Sequence, residues 1–166
     1  MDEDPITLLA YACTDGNTEL VLSIIQEHRE CIEEGMRNLV SPMYGCLRAC
    51  CGSNNTEMAR VLIDTLGDAV VTHMMDTCVL MNNHQVMRII LEDYRQLISE
   101  SALSISFFCA CAAGNLVMVN LFIDYFDCFD DYDMPELSRA TYDYCCDMGN
   151  KPVIELLHTR CSCLEP

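Results

Sequence analysis

A two-residue turn signal recurs five times along this 166-residue chain: Gly16-Asn17, Asn54-Asn55, Asn82-Asn83, Gly114-Asn115 and Gly149-Asn150. Gly and Asn accept the left-handed backbone conformation with which helices end. The Asn in second place is also a favoured N-cap for the helix that follows. Each signal therefore reads as a join between two helices. Three, four, seven and eight residues after the Asn stand Leu20, Val21, Ile24 and Ile25. The same places hold Met58, Ala59, Leu62 and Ile63, then Val86, Met87, Ile90 and Leu91. They hold Met118, Val119, Phe122 and Ile123 in the fourth copy, and Val153, Ile154, Leu157 and His158 in the fifth. This spacing puts four side chains on one helical face. Nineteen of the twenty are apolar in a chain only 51% hydrophobic, so the periodicity is not an accident of composition. Alternating strands do not produce it.

The residues before each turn repeat as well. Four and five places before the Asn are Ala12-Cys13, Cys50-Cys51, Cys78-Val79, Ala110-Cys111 and Cys145-Cys146. Small side chains at a fixed place let a neighbouring helix come close, and a free Cys behaves as a small buried hydrophobe. Seven of the thirteen cysteines fall in these ten places, so the high cysteine count is explained in large part as a helix seam. An apolar anchor lies three residues further upstream: Leu9, Leu47, Met75, Phe107 and Tyr142. The unit is thus an anchored first helix, a tight turn and an amphipathic second helix. One such pair cannot cover its own apolar face, whereas stacked copies can.

These residues resemble a known family. The run Thr7-Leu8-Leu9-Ala10-Tyr11-Ala12-Cys13-Thr14-Asp15-Gly16-Asn17-Thr18-Glu19-Leu20-Val21 is similar to the ankyrin-repeat signature, T-P-L-H-x-A-A-x-x-G-H/N-x-E-x-V. Ser41-Pro42-Met43 looks like a displaced start of that signature. The copies are 38, 28, 32 and 35 residues apart, where the family prefers about 33, and the T-P-L-H box is nowhere complete. Only Gly67-Asp68-Ala69 hints at the family's hairpin between repeats. The expectation is an all-α, ankyrin-like solenoid of about five degenerate helix-turn-helix repeats with irregular loops. It forms one domain over residues 1–166, with units near 5–28, 42–68, 72–95, 103–128 and 138–160 and a tail at 161–166. Another helical-hairpin solenoid is the alternative.

Segments between the units carry their own expectations. Ile32, Met36 and Leu39 are spaced for an extra helical turn or two within residues 26–40. Residues 101–123 hold no charge and are long enough to span a bilayer, but Gly114-Asn115 divides them. Two short buried helices are the better reading. Residues 124–136 hold six acids with Tyr125, Phe126, Phe129 and Tyr132 interleaved. They lack the glycine and acid spacing of an EF-hand loop, and read as a solvated loop or as a contact for a basic surface.

Charge narrows the partners. Nine Lys and Arg against 26 Asp and Glu give a net charge of −17, with Lys151 the single lysine. Nucleic-acid and anionic-membrane binding both rest on basic residues, so neither is expected. The acidic N-terminus is unlike a secretory signal, and thiols odd in number are expected to be reduced, which points to an intracellular, cytoplasmic setting.

Catalytic motifs are absent. The seven glycines are never closer than seven residues, so no G-x-G-x-x-G or Walker-type loop can form, and there is no G-x-S-x-G. His28, His73, His84 and His158 are scattered. No enzyme and no cofactor are expected. A zinc site from His158, Cys161 and Cys163, with Cys145 or Cys146, is the alternative chemistry, a thiol- or zinc-dependent regulator. Without a Cys-x-x-Cys pair, no metal is the expectation, and His158 reads as a capping feature of a terminal unit.

The resemblance implies a protein-interaction module that binds through the concave face of the stack. In the family, the two residues before the Gly/Asn turn face that groove. Here they are Thr14-Asp15, Gly52-Ser53, Leu80-Met81, Ala112-Ala113 and Asp147-Met148. The expected partner is a protein, steered by charge toward a basic surface, and the chain itself is expected to be a monomer. Degenerate, cysteine-rich chains of this kind resemble stand-alone viral or pathogen-encoded host-interaction proteins, which implies the host cytoplasm and a scaffolding or inhibitory role in signalling.

Overall fold

The computed structural model describes residues 4–38, 41–126 and 134–160. Among them all regular structure is helical, with no strand. The helices are α1 (Pro5–Thr14), α2 (Thr18–Glu27), α3 (Arg29–Arg37), α4 (Ser41–Gly52), α5 (Thr56–Leu66) and α6 (Asp68–Met81). They continue with α7 (His84–Asp93), α8 (Glu100–Ala112), α9 (Leu116–Phe126), α10 (Met134–Asp147) and α11 (Lys151–Arg160). A short 3-10 turn, Arg95–Leu97, follows α7. The chain divides into two compact units, Met1–Ile98 and Ser99–Pro166.

Each join was legible as a turn because the backbone there needs positive φ. Gly16, Gly114 and Gly149 have φ of +70°, +69° and +67°, and Asn54 and Asn82 have +57° and +54°. The Asn that follows then caps the next helix. Asn17 accepts from the Leu20 N–H at 3.0 Å, Asn55 from Met58 at 2.9 Å, Asn83 from Val86 at 2.9 Å and Asn115 from Met118 at 3.2 Å. Each bond satisfies one of the donors a helix start leaves open. The uncharged run from Ser101 to Ile123 resolves into α8 and α9 around Gly114, and no described helix is long and apolar enough to cross a membrane.

In the first unit, α1 packs on α2, α4 on α5 and α6 on α7. First helices also pack on first helices, α1 on α4 and α4 on α6, and second on second, α2 on α5 and α5 on α7. In the second unit α8 packs on α9 and α10 on α11, with α8 against α10 and α9 against α11. The repeated apolar places form the cores. Leu9, Leu47, Met75 and Phe107 are buried, as are all twelve second-helix places of the middle three copies. Nine of the ten small-residue places are buried too.

The departures lie in the first and fifth copies. Leu20, Ile154 and His158 are not buried, and Cys146 is exposed. Neighbouring helix positions diverge by about 100°, so the two members of a pair meet different surroundings. The partners of α10 within its unit are α8 and α11. Cys145 faces that packing and is buried, and Cys146 is not. Tyr142 remains half-buried and its hydroxyl lies 2.5 Å from His158 Nε2, so the two irregular side chains of this copy satisfy each other.

The extra helical turns expected after α2 are α3, a full helix that buries Ile32 and Met36 against α1, α2 and α6; Leu39 lies outside the described residues. At Gly35 an added Cβ would stand 2.6 Å from Ile6 Cδ1. This glycine sits inside a helix, where it is normally unfavourable, and the Ile6 side chain of α1 occupies the place of its missing Cβ.

Candidate interaction surface at the helix turns

All ten residues singled out before the turns are exposed: Thr14, Asp15, Gly52, Ser53, Leu80, Met81, Ala112, Ala113, Asp147 and Met148. Six lie in the first unit and four in the second. They follow directly on the buried small-residue seam, two residues further along the chain, where the first helix ends and leaves the core. Leu80 is 70% and Met148 66% exposed, and a buried leucine or methionine is the ordinary fate. The hydroxyls among them are turned inward. Thr14 Oγ1 donates to Ala10 O at 2.8 Å, and Ser53 Oγ donates to Ala49 O. That leaves methyl, methylene and carboxylate surface facing water at these turns.

The second and third turns of the first unit form one continuous patch. Met81 lies over Gly52, its Cε 3.2 Å from where a Cβ would be. Asn54 Nδ2 donates to Gln85 Oε1, and Asn83 Nδ2 donates to the Cys51 carbonyl. Between them an open cavity of about 240 Å³ is lined by Cys51, Gly52, Asn54, Met81 and their neighbours to Gln85. In the second unit Asn150 Nδ2 donates to Cys111 O at 3.0 Å. The turn asparagines therefore have a second job that spacing alone does not reveal: they tie one helix pair to the backbone of the pair before it. The glycine of the earlier turn makes room. Asn150 Nδ2 is 3.3 Å from a hypothetical Gly114 Cβ, and Asn55 Nδ2 is 3.6 Å from one at Gly16.

Sequence reasoning missed further exposed apolar side chains on the first helices. Tyr11, one helical turn before Asp15, is 61% exposed. Ile105 on α8 is exposed, and Phe108 packs against Tyr144 of α10 with ring centroids 4.8 Å apart and planes tilted by 56°. Counting back one turn from each tip along the helix would have found Tyr11 and Tyr144.

The buried seam thiols have the environment of a core. At Cys13 a hydrogen bond with Cys46 pulls the pKa down, but hydrogen bonding with Cys50 and burial outweigh it and the net shift is up. Hydrogen bonding with Cys13 and burial both push Cys46 up, and hydrogen bonding with Cys51 and burial do the same to Cys78. Such thiols are held protonated, the opposite of an activated nucleophile. Among the described residues no group of three His, Cys, Asp or Glu side chains could hold a metal ion. Cys161 and Cys163 of the alternative zinc site lie outside the described residues, as does 127–133 of the acidic-aromatic segment. Comparison with protein-family models, curated proteins and solved structures finds no match.

Proposed function

We propose that the chain is a non-catalytic protein-interaction module, a degenerate ankyrin-like array that binds a protein partner through the residues before its turns. The observation that carries this reading is the exposure of all ten of those residues beside a seam that is almost wholly buried. Exposed side chains at a repeated place are available for contact. The apolar members Leu80, Met81 and Met148 provide adaptable contact area, and Asp15 and Asp147 with the net charge of −17 favour a basic partner surface. Two features depart from the ankyrin pattern. The helix α3 is inserted in the chain between the first two pairs and packs on α1, α2 and α6, and Gly67 alone joins α5 to α6 where the family has an extended hairpin. A cytoplasmic, host-directed role in scaffolding or inhibiting a signalling protein follows from the same family resemblance. Affinity capture from lysate with the wild type and the Leu80→Glu/Met81→Glu variant tests the reading. Proteins retained by the wild type and lost, at unchanged melting temperature, by the variant support it. Identical capture by the two chains contradicts it.

A further inference from the structure

We propose that Cys51 and Cys78 are a peroxide-sensitive dithiol that closes to a disulfide and staples the second helix pair to the third. The two thiols come from neighbouring first helices, α4 and α6, and their Sγ atoms lie 3.5 Å apart. The sulfurs are in van der Waals contact, and bonding brings them to about 2.05 Å, a closure of side-chain size. Both residues are buried, but Cys51 lines the open cavity beside Gly52 and Met81. A peroxide, little larger than water, fits the cavity beside Cys51, and reaching the buried sulfur takes local motion at the turn rather than separation of the helices. Cys50 is one residue away but points about 100° around α4, and it engages Cys13 of α1. The facing pair is thus specified by the helix register.

The chemistry balances with hydrogen peroxide as the oxidant. Cys51 loses its proton and its sulfur attacks one peroxide oxygen. The O–O bond breaks, and the leaving hydroxide takes up a proton to give water. Cys51 is then a sulfenic acid. The Cys78 sulfur attacks the Cys51 sulfur, an S–S bond forms, and hydroxide leaves from Cys51 and takes the Cys78 proton as a second water. Two thiols and one peroxide become one disulfide and two waters, with two electrons passed to the peroxide. Cys78 is held protonated by its hydrogen bond to Cys51 and by burial. Cys51, which lines the cavity, leads, and Cys78 on the facing helix is the resolving thiol. The bond lies next to Gly52 and two residues before Leu80. Its effect on partner binding rests on the proposed reading of those turns, and its formation does not.

Fully reduced protein treated with one equivalent of hydrogen peroxide and mapped by non-reducing peptide mass spectrometry tests this. The expected product is two hydrogen atoms lighter, with one peptide pair joined through Cys51 and Cys78. Its thiol count on unfolding falls from thirteen by two. Cys50→Ala should keep the link, and Cys51→Ala and Cys78→Ala should each lose it. A second measurement needs no variant: the link should form faster in native buffer than in urea. Exposed Cys31, Cys109 and Cys146 serve as internal standards. If they oxidise while Cys51 and Cys78 stay reduced, or if urea does not slow the link, the proposal is overturned.

Discussion

Two of the turn asparagines, Asn83 and Asn150, bond the backbone of the preceding helix pair. Asn83 accepts from the Gln85 and Val86 N–H groups at 3.1 Å and 2.9 Å and donates to the Cys51 carbonyl. Asn83→Ala removes a cap, at about 1 kcal/mol. It also strands a buried carbonyl, at about 1–3 kcal/mol. The expected loss is about 2–4 kcal/mol by denaturant unfolding. Asn17→Ala, at an exposed cap, should lose about 1 kcal/mol. Equal losses at the two sites would show that the bond between pairs contributes nothing. The caps were legible in the sequence because an N-cap is a local rule. The bonds to Cys51 and Cys111 were not, because they depend on where the previous pair's backbone lies. The Cys51–Cys78 contact was hidden for the same reason: spacing placed both thiols in the seam but could not say which faces which.

At the scale of the element, a helix here is made by its cap and placed by its seam. Gly149 ends α10 at positive φ and opens into empty space, so Gly149→Ala meets no clash. Its cost is backbone strain alone, about 1–2 kcal/mol, read as a lower denaturant midpoint. A neutral result would mean the turn relaxes to another form. Gly35 tests the opposite term. Gly35→Leu gains helix propensity but must displace Ile6 and Met43, and overpacking of this kind costs about 1–3 kcal/mol. A net gain on unfolding would show that α3 does not lie closely on α1. The helix at Arg29–Arg37 was visible in the spacing of Ile32 and Met36. The need for glycine at 35 was not, since a glycine in a helical pattern reads locally as a weak point.

Across the whole molecule, the thiols link stability to pH. Cys13, Cys46 and Cys78 have raised pKa values in the folded chain. In the unfolded chain an ordinary thiol ionises near pH 8.5. Above that pH the unfolded state gives up these protons and the folded state keeps them. Their contribution is therefore complete below about pH 8.5 and declines as pH rises, by about 1.4 kcal/mol per pH unit per thiol. Denaturant midpoints should fall between pH 8.5 and 10, and Cys46→Ala should flatten the fall. A profile unchanged by that variant would place Cys46 outside the core.

The division into residues 1–98 and 99–166 had no local mark in the sequence, where the fourth copy repeats the pattern as clearly as the first. The central claim is that the repeated seam is core and the residues before each turn are free surface. Thermal unfolding of two charge variants tests it most directly. Leu80→Glu/Met81→Glu should melt within about 2 °C of the wild type, as surface substitutions do. Met87→Glu, which buries an unpaired carboxylate on α7, should leave little cooperative transition at all. A sharp fall at the turn with a mild one at Met87 would contradict the account.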